Sequence, residues 1–284
     1  LVNQHEGLAV CFSRLYKFSL RVLLVCALGL PLTLLASCAE DQAVESHIEL
    51  YKSPYNFEGL VYENDRYTYT ENGVLQSKIG IDVSEHQGVI DWNAVAADGI
   101  EFAFIRLGNR GATEGVIGLD EQYQANLEGA VAAGIPVGVY FFSQSINAAE
   151  AIEEADFVLA NLQGAALQYP IVYDHEPVSG IANPRANDLS KEQATENAQA
   201  FCNRIKEAGY ESMLYGNKSD IARFDQSIRD TNDIWFAEYD TSTPTGRFDF
   251  SIWQYSNNGT VAGIPARVDM NIEFLTAPKP GASS

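Results

Sequence analysis

The chain has 284 residues, 46% of them hydrophobic, and a formal net charge of −20. That apolar content can supply one large core or two small ones. The acidity excludes nucleic acid as a partner, because phosphate binding needs clustered Lys and Arg, and reads instead as a solvated surface that favours solubility.

In chain order, Arg14, Lys17 and Arg21 form a basic region ahead of an apolar run, 22–35, that ends in Leu35-Ala36-Ser37-Cys38. About 14 apolar residues are too few to span a bilayer, which needs roughly 18 or more. Basic, apolar and small-residue-cysteine elements in this order predict a bacterial lipoprotein signal over 1–38, cleaved before Cys38, whose thiol then carries a diacylglycerol. The sequence itself opens on Leu1 rather than Met. Cys11 and Cys26 would leave with the signal, so Cys202 remains as a buried helical thiol with no disulfide partner. The expected location is therefore outside the cytoplasm, at the membrane through Cys38, with a monomer as the expected state.

Residues 39–77 read as a tether, polar and mixed to about residue 58. Within it, Tyr67-Thr68-Tyr69-Thr70-Glu71-Asn72-Gly73 has period-two aromatics and an Asn-Gly turn, which predicts a short hairpin near 60–77. A barrel domain is expected over 78–276, followed by a short tail, 277–284.

Five short β-prone runs, 78–83, 102–107, 136–142, 169–173 and 212–215, alternate with helical stretches. Asn147-x-x-Glu150 and Ser190-x-x-Gln193 have the form of capping boxes, and Gly134, Gly164 and Gly209 stand where left-handed helix stops belong. Ala194, Ala198, Phe201, Cys202 and Ile205 form one apolar helical stripe. Three further runs, near 234–237, 252–255 and 267–270, follow too closely for helices between them. The pattern predicts an α/β fold: a parallel (β/α) barrel of TIM type with irregular last strands, (β/α)5(β)3-like, and its site at the carboxyl ends of the strands. An open doubly wound sheet is the rival. It lacks support, because neither G-x-G-x-x-G nor G-x-x-x-x-G-K-[ST] follows the first strand; no cofactor is expected.

Carboxylates recur at the ends of these apolar runs: Asp82 on the first, Asp174 and Glu176 on the fourth, Asp269 on the eighth. Acids are uncommon inside such strands, and residues two apart on a strand face the same way. Asp174 and Glu176 are thus expected to face the barrel mouth, with His175 turned toward the helices. Closure would bring Asp82 beside Asp269. Clustered, partly buried carboxylates cannot all ionise, which leaves one protonated. Glycoside cleavage needs such an acid plus an ionised partner; Glu176, with its longer reach, is the expected acid and Asp174 the charged, orienting group. A salt-bridge network around Arg106 or a divalent-metal site would also accommodate these acids, although no calcium-type loop is present and no metal is expected. Tyr140 with Phe142, Trp235 with Tyr239, and Trp253 with Tyr255 share strand faces on which sugar rings could pack, though aromatic stripes in barrels are more often core. His86 in the first loop is equally a surface residue or a substrate contact.

At these residues the sequence resembles the glycoside hydrolase family 25 lysozymes, the Chalaropsis-type N-acetylmuramidases. The likeness runs through Gly80-Ile81-Asp82-Val83-Ser84, Gln87-Gly88, Asp91-Trp92, Phe104-Ile105-Arg106, Gly138-Val139-Tyr140 and Asp174-His175-Glu176. It continues through Trp235-Phe236-Ala237-Glu238-Tyr239, Trp253-Gln254-Tyr255 and Val268-Asp269-Met270-Asn271. His175 and Met270 depart from the commonest pattern without removing a functional group. The resemblance implies a β/α barrel that cuts the β-1,4 bond between N-acetylmuramic acid and N-acetylglucosamine in peptidoglycan. It implies Glu176 as proton donor and Asp174, Asp82 and Asp269 as further active-site carboxylates. Tyr140, Arg106, Tyr215, Tyr239, Trp253 and Gln254 are the expected substrate contacts. The nucleophile it implies is either the substrate's own acetamido group or water. The residues after Phe274 contain no wall-binding repeat, so the amino-terminal anchor is expected to supply localisation. A silent wall-binding lipoprotein and a chitinase-like enzyme are the competing readings.

Overall fold

The computed structural model describes residues 51–278 and Pro280. The expected signal segment, the acylated Cys38, the first part of the tether and the last residues of the tail lie outside the described residues.

Among the described residues, twelve strands and six α-helices are formed. The first three strands, β1 (Leu60–Glu63), β2 (Arg66–Glu71) and β3 (Val74–Leu75), make an antiparallel meander. Asn64 and Asp65 take up positive φ at its first turn, Asn72 and Gly73 at its second, the pairing of left-handed residues that two-residue hairpin turns require. The sequence showed the second turn; Asn-Asp gave no comparable signal for the first.

The meander is packed, not free. Tyr55 and Tyr69 are buried, Tyr55 stacks on Phe274 at 4.3 Å between ring centroids, and its hydroxyl donates to the Phe250 carbonyl. Residues read as the distal tether therefore belong to the folded unit from about Tyr55 onward. Apolar and aromatic surface on one face of β2 leaves the meander no independent stability and drives it onto the barrel.

The barrel strands are β4 (Ser77–Val83), β5 (Phe102–Arg110), β7 (Val137–Phe142), β8 (Ile171–Asp174), β9 (Ser212–Gly216), β10 (Asp233–Ala237), β11 (Ile252–Gly259) and β12 (Val268–Phe274). They pair in that order and close through β12 with β4. A short strand, β6 (Ile117–Leu119), extends β5 as an external hairpin. Helices α1 (Trp92–Ala97), α2 (Tyr123–Ala132), α3 (Ala148–Leu162) and α4 (Lys191–Glu207) follow the first four barrel strands, and two short ones, α5 (Lys218–Ala222) and α6 (Gln226–Arg229), follow the fifth. No helix separates the last three strands, as the spacing predicted.

One expectation of direction fails. β12 pairs antiparallel with both β11 and β4, so the barrel is mixed, with its eighth strand reversed. The connection from β11 to β12 is a tight return, too short for the crossover that a parallel neighbour requires.

The other local signals hold, except that the two expected capping boxes form only by half: Glu150 accepts from Ile146 N, and Gln193 turns to Glu196 and Asn197. Asn147 and Ser190 accept from the backbone amides of Glu150 and Gln193, and Gly134, Gly164 and Gly209 have positive φ. The stripe 194, 198, 201, 202, 205 is buried against the sheet. Inside the barrel, Phe102, Phe104, Val172, Met213, Trp235 and Ile252 form a second core. Gly80 and Gly138 make room for it, since a Cβ there would lie 2.2 Å and 2.5 Å from the rings of Phe102 and Phe104.

Candidate active site

Each barrel strand contributes an inward residue near one rim: Asp82, Arg106, Tyr140, Asp174, Tyr215, Ala237, Gln254 and Asp269. All but Ala237 line a single cavity of about 300 Å³, joined by Phe142, Glu176, Trp235 and Tyr239. β5 is bulged after Arg106, and such an irregularity re-aims side chains at a barrel rim. Asp269 stands at the start of its strand, not its end. It reaches the same mouth as Asp82 because β12 runs backward, with the two acids directly opposite in register.

Asp82 is the carboxylate built to hold charge. Its Oδ1 accepts from Gln254 Nε2 and Asn271 Nδ2, both at 2.8 Å. Each amide is oriented in turn. Trp235 Nε1 donates to Asn271 Oδ1 at 2.7 Å, Tyr215 donates to Gln254 Oε1 at 2.7 Å, and the Tyr239 hydroxyl donates to that same oxygen. Burial nonetheless pushes Asp82 up to about 6. Burial, followed by the neighbouring Asp82 charge, pushes Asp269 to about 8, so this pair carries one proton near neutrality.

Asp174 and Glu176 form the second pair, with their carboxyls in hydrogen-bonding contact. Burial, then the Glu176 carboxyl, raises Asp174 well above the ordinary carboxylate range. Burial and the charge of Asp220 push Glu176 to about 7. Asp174 Oδ1 is buried with no hydrogen-bond donor among the described residues. The expectation that Asp174 stays ionised is therefore corrected: its surroundings favour the acid form, while the amide donors that favour charge converge on Asp82. Strand geometry does not place Glu176 either. β8 ends at Asp174, and the Glu176 carbonyl accepts from Gln144 Nε2 at 2.9 Å.

Trp253 is the expected contact that the structure removes. It is fully buried on the outer side of β11, donating to the Glu238 carbonyl and packing on Tyr67 and Tyr255, while Gln254 takes the inward position between them. His175 also faces outward, stacked on Tyr173, and burial lowers it to about 3, which keeps it neutral. Arg106 pairs with Asp120 at 2.7 Å and Glu85 at 3.0 Å, so its salt bridges leave the four acids aside. His86 sits 3.5 Å from the Arg106 guanidinium. Among the described residues no group of three or more His, Cys, Asp or Glu is arranged for a metal ion.

A second compartment of about 270 Å³ adjoins the first across Glu176, Tyr215 and Tyr239, and is walled by Asn217, Lys218, Ala237 and Glu238. Lys218 and Glu238 pair across it. Neither this compartment nor the amides Asn271 and Gln144 were singled out from the sequence as site residues. Tyr215 and Tyr239 border both spaces, so Glu176 stands at the junction.

The profile of glycosyl hydrolases family 25 matches residues 81–264. The chain belongs to this family. It is 28% identical over 193 residues to the autolytic lysozyme of Clostridium acetobutylicum, covering 68% of this chain and 54% of that protein. It is 30% identical over 204 residues to Lysozyme M1 of Streptomyces globisporus, covering 68% of this chain and 66% of that protein. Less than two thirds of either relative is therefore spanned. The barrel also superposes on the modular autolysin LytC of Streptococcus pneumoniae, solved in complex with a synthetic peptidoglycan ligand, with a TM-score of 0.64 at 24% identity over 76% of this chain and 52% of that one. Family membership accounts for the barrel from Ile81 to Ile264. The meander lies before the matched region.

Proposed function

We propose that the protein hydrolyses peptidoglycan at the β-1,4 bond between N-acetylmuramic acid and N-acetylglucosamine. The observation that carries this reading is the arrangement of four acids around one cavity: Asp174 and Glu176, in contact and in surroundings that favour the acid form, and Asp82, held by two oriented amides. The lysozyme names of the curated relatives support the substrate class.

In this reading Glu176 gives its proton to the glycosidic oxygen as the C1–O bond breaks. Positive charge growing at C1 is stabilised by Asp82, in a cavity where burial strengthens the attraction. The Asp174 acid donates to Glu176 and so stabilises the carboxylate that proton transfer leaves behind. The substrate's acetamido oxygen or a water attacks C1, and a proton from the consumed water returns to Glu176. The muramic unit lies over the acid cavity, with Arg106 the cation nearest its lactyl carboxylate. The departing sugar lies in the compartment of Asn217, Lys218 and Tyr239. The same reading has the protein acting outside the cytoplasm, held at the membrane through Cys38.

Digestion of purified peptidoglycan, borohydride reduction and mass spectrometry test the assignment, with Glu176→Gln in parallel. New muramitol ends are expected, and a rate loss of about 10² to 10⁴ in the folded variant, the usual worth of a general acid. Glucosaminitol ends would move the cut to the other linkage. Binding without new ends would leave a glycan-binding protein.

A further inference from the structure

Glu176 lies two residues beyond β8, where no ladder fixes its backbone. What holds it is Gln144, from the loop after β7. This glutamine is fully buried, and its Nε2 donates to the carbonyls of Glu176 and Ser143, both at 2.9 Å, while its Oε1 is buried with no donor among the described residues. A buried amide left half unsatisfied is costly, and an apolar side chain of equal length would fill the space without that cost. Its donation to Glu176 is therefore the feature to explain.

The loop bearing Gln144 is clamped from several sides. Ser143 N donates to the Asp174 carbonyl at 2.7 Å, and Ser143 Oγ donates to Glu154 Oε2 at 2.6 Å. Glu154 is itself paired with the buried Arg110 at 2.7 Å. Asn197 Nδ2 donates to the Ser145 carbonyl at 2.9 Å. Through this loop, α3, α4 and β5 all bear on one amide, and that amide bears on Glu176.

We propose that Gln144 is a positioning residue that fixes the Glu176 backbone, so that its carboxyl stays against Asp174 and is aimed at the glycosidic oxygen. The inference rests on Glu176 being the proton donor. Misplacing such a group by about 1 Å can cost on the order of 10² in rate.

The test compares the full chain with Gln144→Met, which keeps length but not donors. Two substrates are used: a peptidoglycan oligosaccharide, whose sugar leaving group needs a proton, and a 2,4-dinitrophenyl glycoside, whose leaving group does not. On the oligosaccharide, kcat is expected to fall roughly 10- to 100-fold with KM within about threefold. The dinitrophenyl substrate should lose far less. Introduced into Glu176→Gln, the same change should add less than about threefold, because the two residues act as one unit. Melting curves establish that each variant folds; Gln144→Asn, an amide one methylene too short, carries the same expectations if Gln144→Met does not. Equal losses on both leaving groups, or an undiminished loss in the Glu176→Gln background, would overturn the proposal while leaving the hydrolase reading intact. A wild-type protein that cleaves neither substrate would overturn both.

Discussion

Asp82 and Asp269 face each other across the seam where the barrel closes, and the pair cannot ionise freely. Asp269, near 8 in the folded protein against about 4 unfolded, contributes stability that is complete below about pH 4 and is lost as pH rises toward 8. Asp269→Asn keeps a donor for Asp82 but cannot ionise. It is expected to raise the melting temperature by about 2–4 °C at pH 8 and to leave it unchanged near pH 4; a lower value at both pH values would show that the buried pair is not strained by its charge. The carboxylates were legible in the sequence because acids stand out in apolar strands. The amides that set their charges were not. Gln254 was expected to touch substrate but not to steer Asp82, while Asn271 and Gln144 sit in stretches where nothing about spacing separates a structural amide from an ordinary polar residue. Trp253 misled for a related reason: alternation gives which residues share a face, not which face is inside.

The eight barrel strands were visible as apolar runs, and the missing helices as short spacing, because both follow from local pattern. The direction of β12 did not. Period-two alternation reads the same along a strand in either sense, and only the short return from β11 constrains it. The close fit of the interior imposes a further requirement at this scale. Gly80 on β4 faces the Phe102 ring, and that strand is pinned on both sides by β5 and β12. Gly80→Ala is therefore expected to destabilise the fold by about 1–3 kcal/mol, measurable by denaturant melts, because neither strand can retreat without opening the closure. A neutral result would mean that the Phe102 ring can turn aside. The meander was half legible: its Asn-Gly turn and period-two tyrosines announced a hairpin, but the side-chain partners on β12 and β11 are about 200 residues away in the chain.

At the scale of the whole molecule, the meander contributes to the core instead of hanging from it. Tyr55 and Tyr69 cover Phe274, and Tyr67 covers Trp253. Deleting residues 51–75 would bare several aromatic rings, each worth about 1.5–3 kcal/mol when buried, so the melting temperature is expected to fall by roughly 10 °C or more. A drop of only a degree or two in calorimetry would make the meander dispensable to the barrel. The reversed eighth strand has a mechanical consequence as well. β4 enters the barrel at the end away from the acids and β12 leaves it at that same end. The acid-lined mouth is thus clear of both the entry and the exit of the barrel's chain.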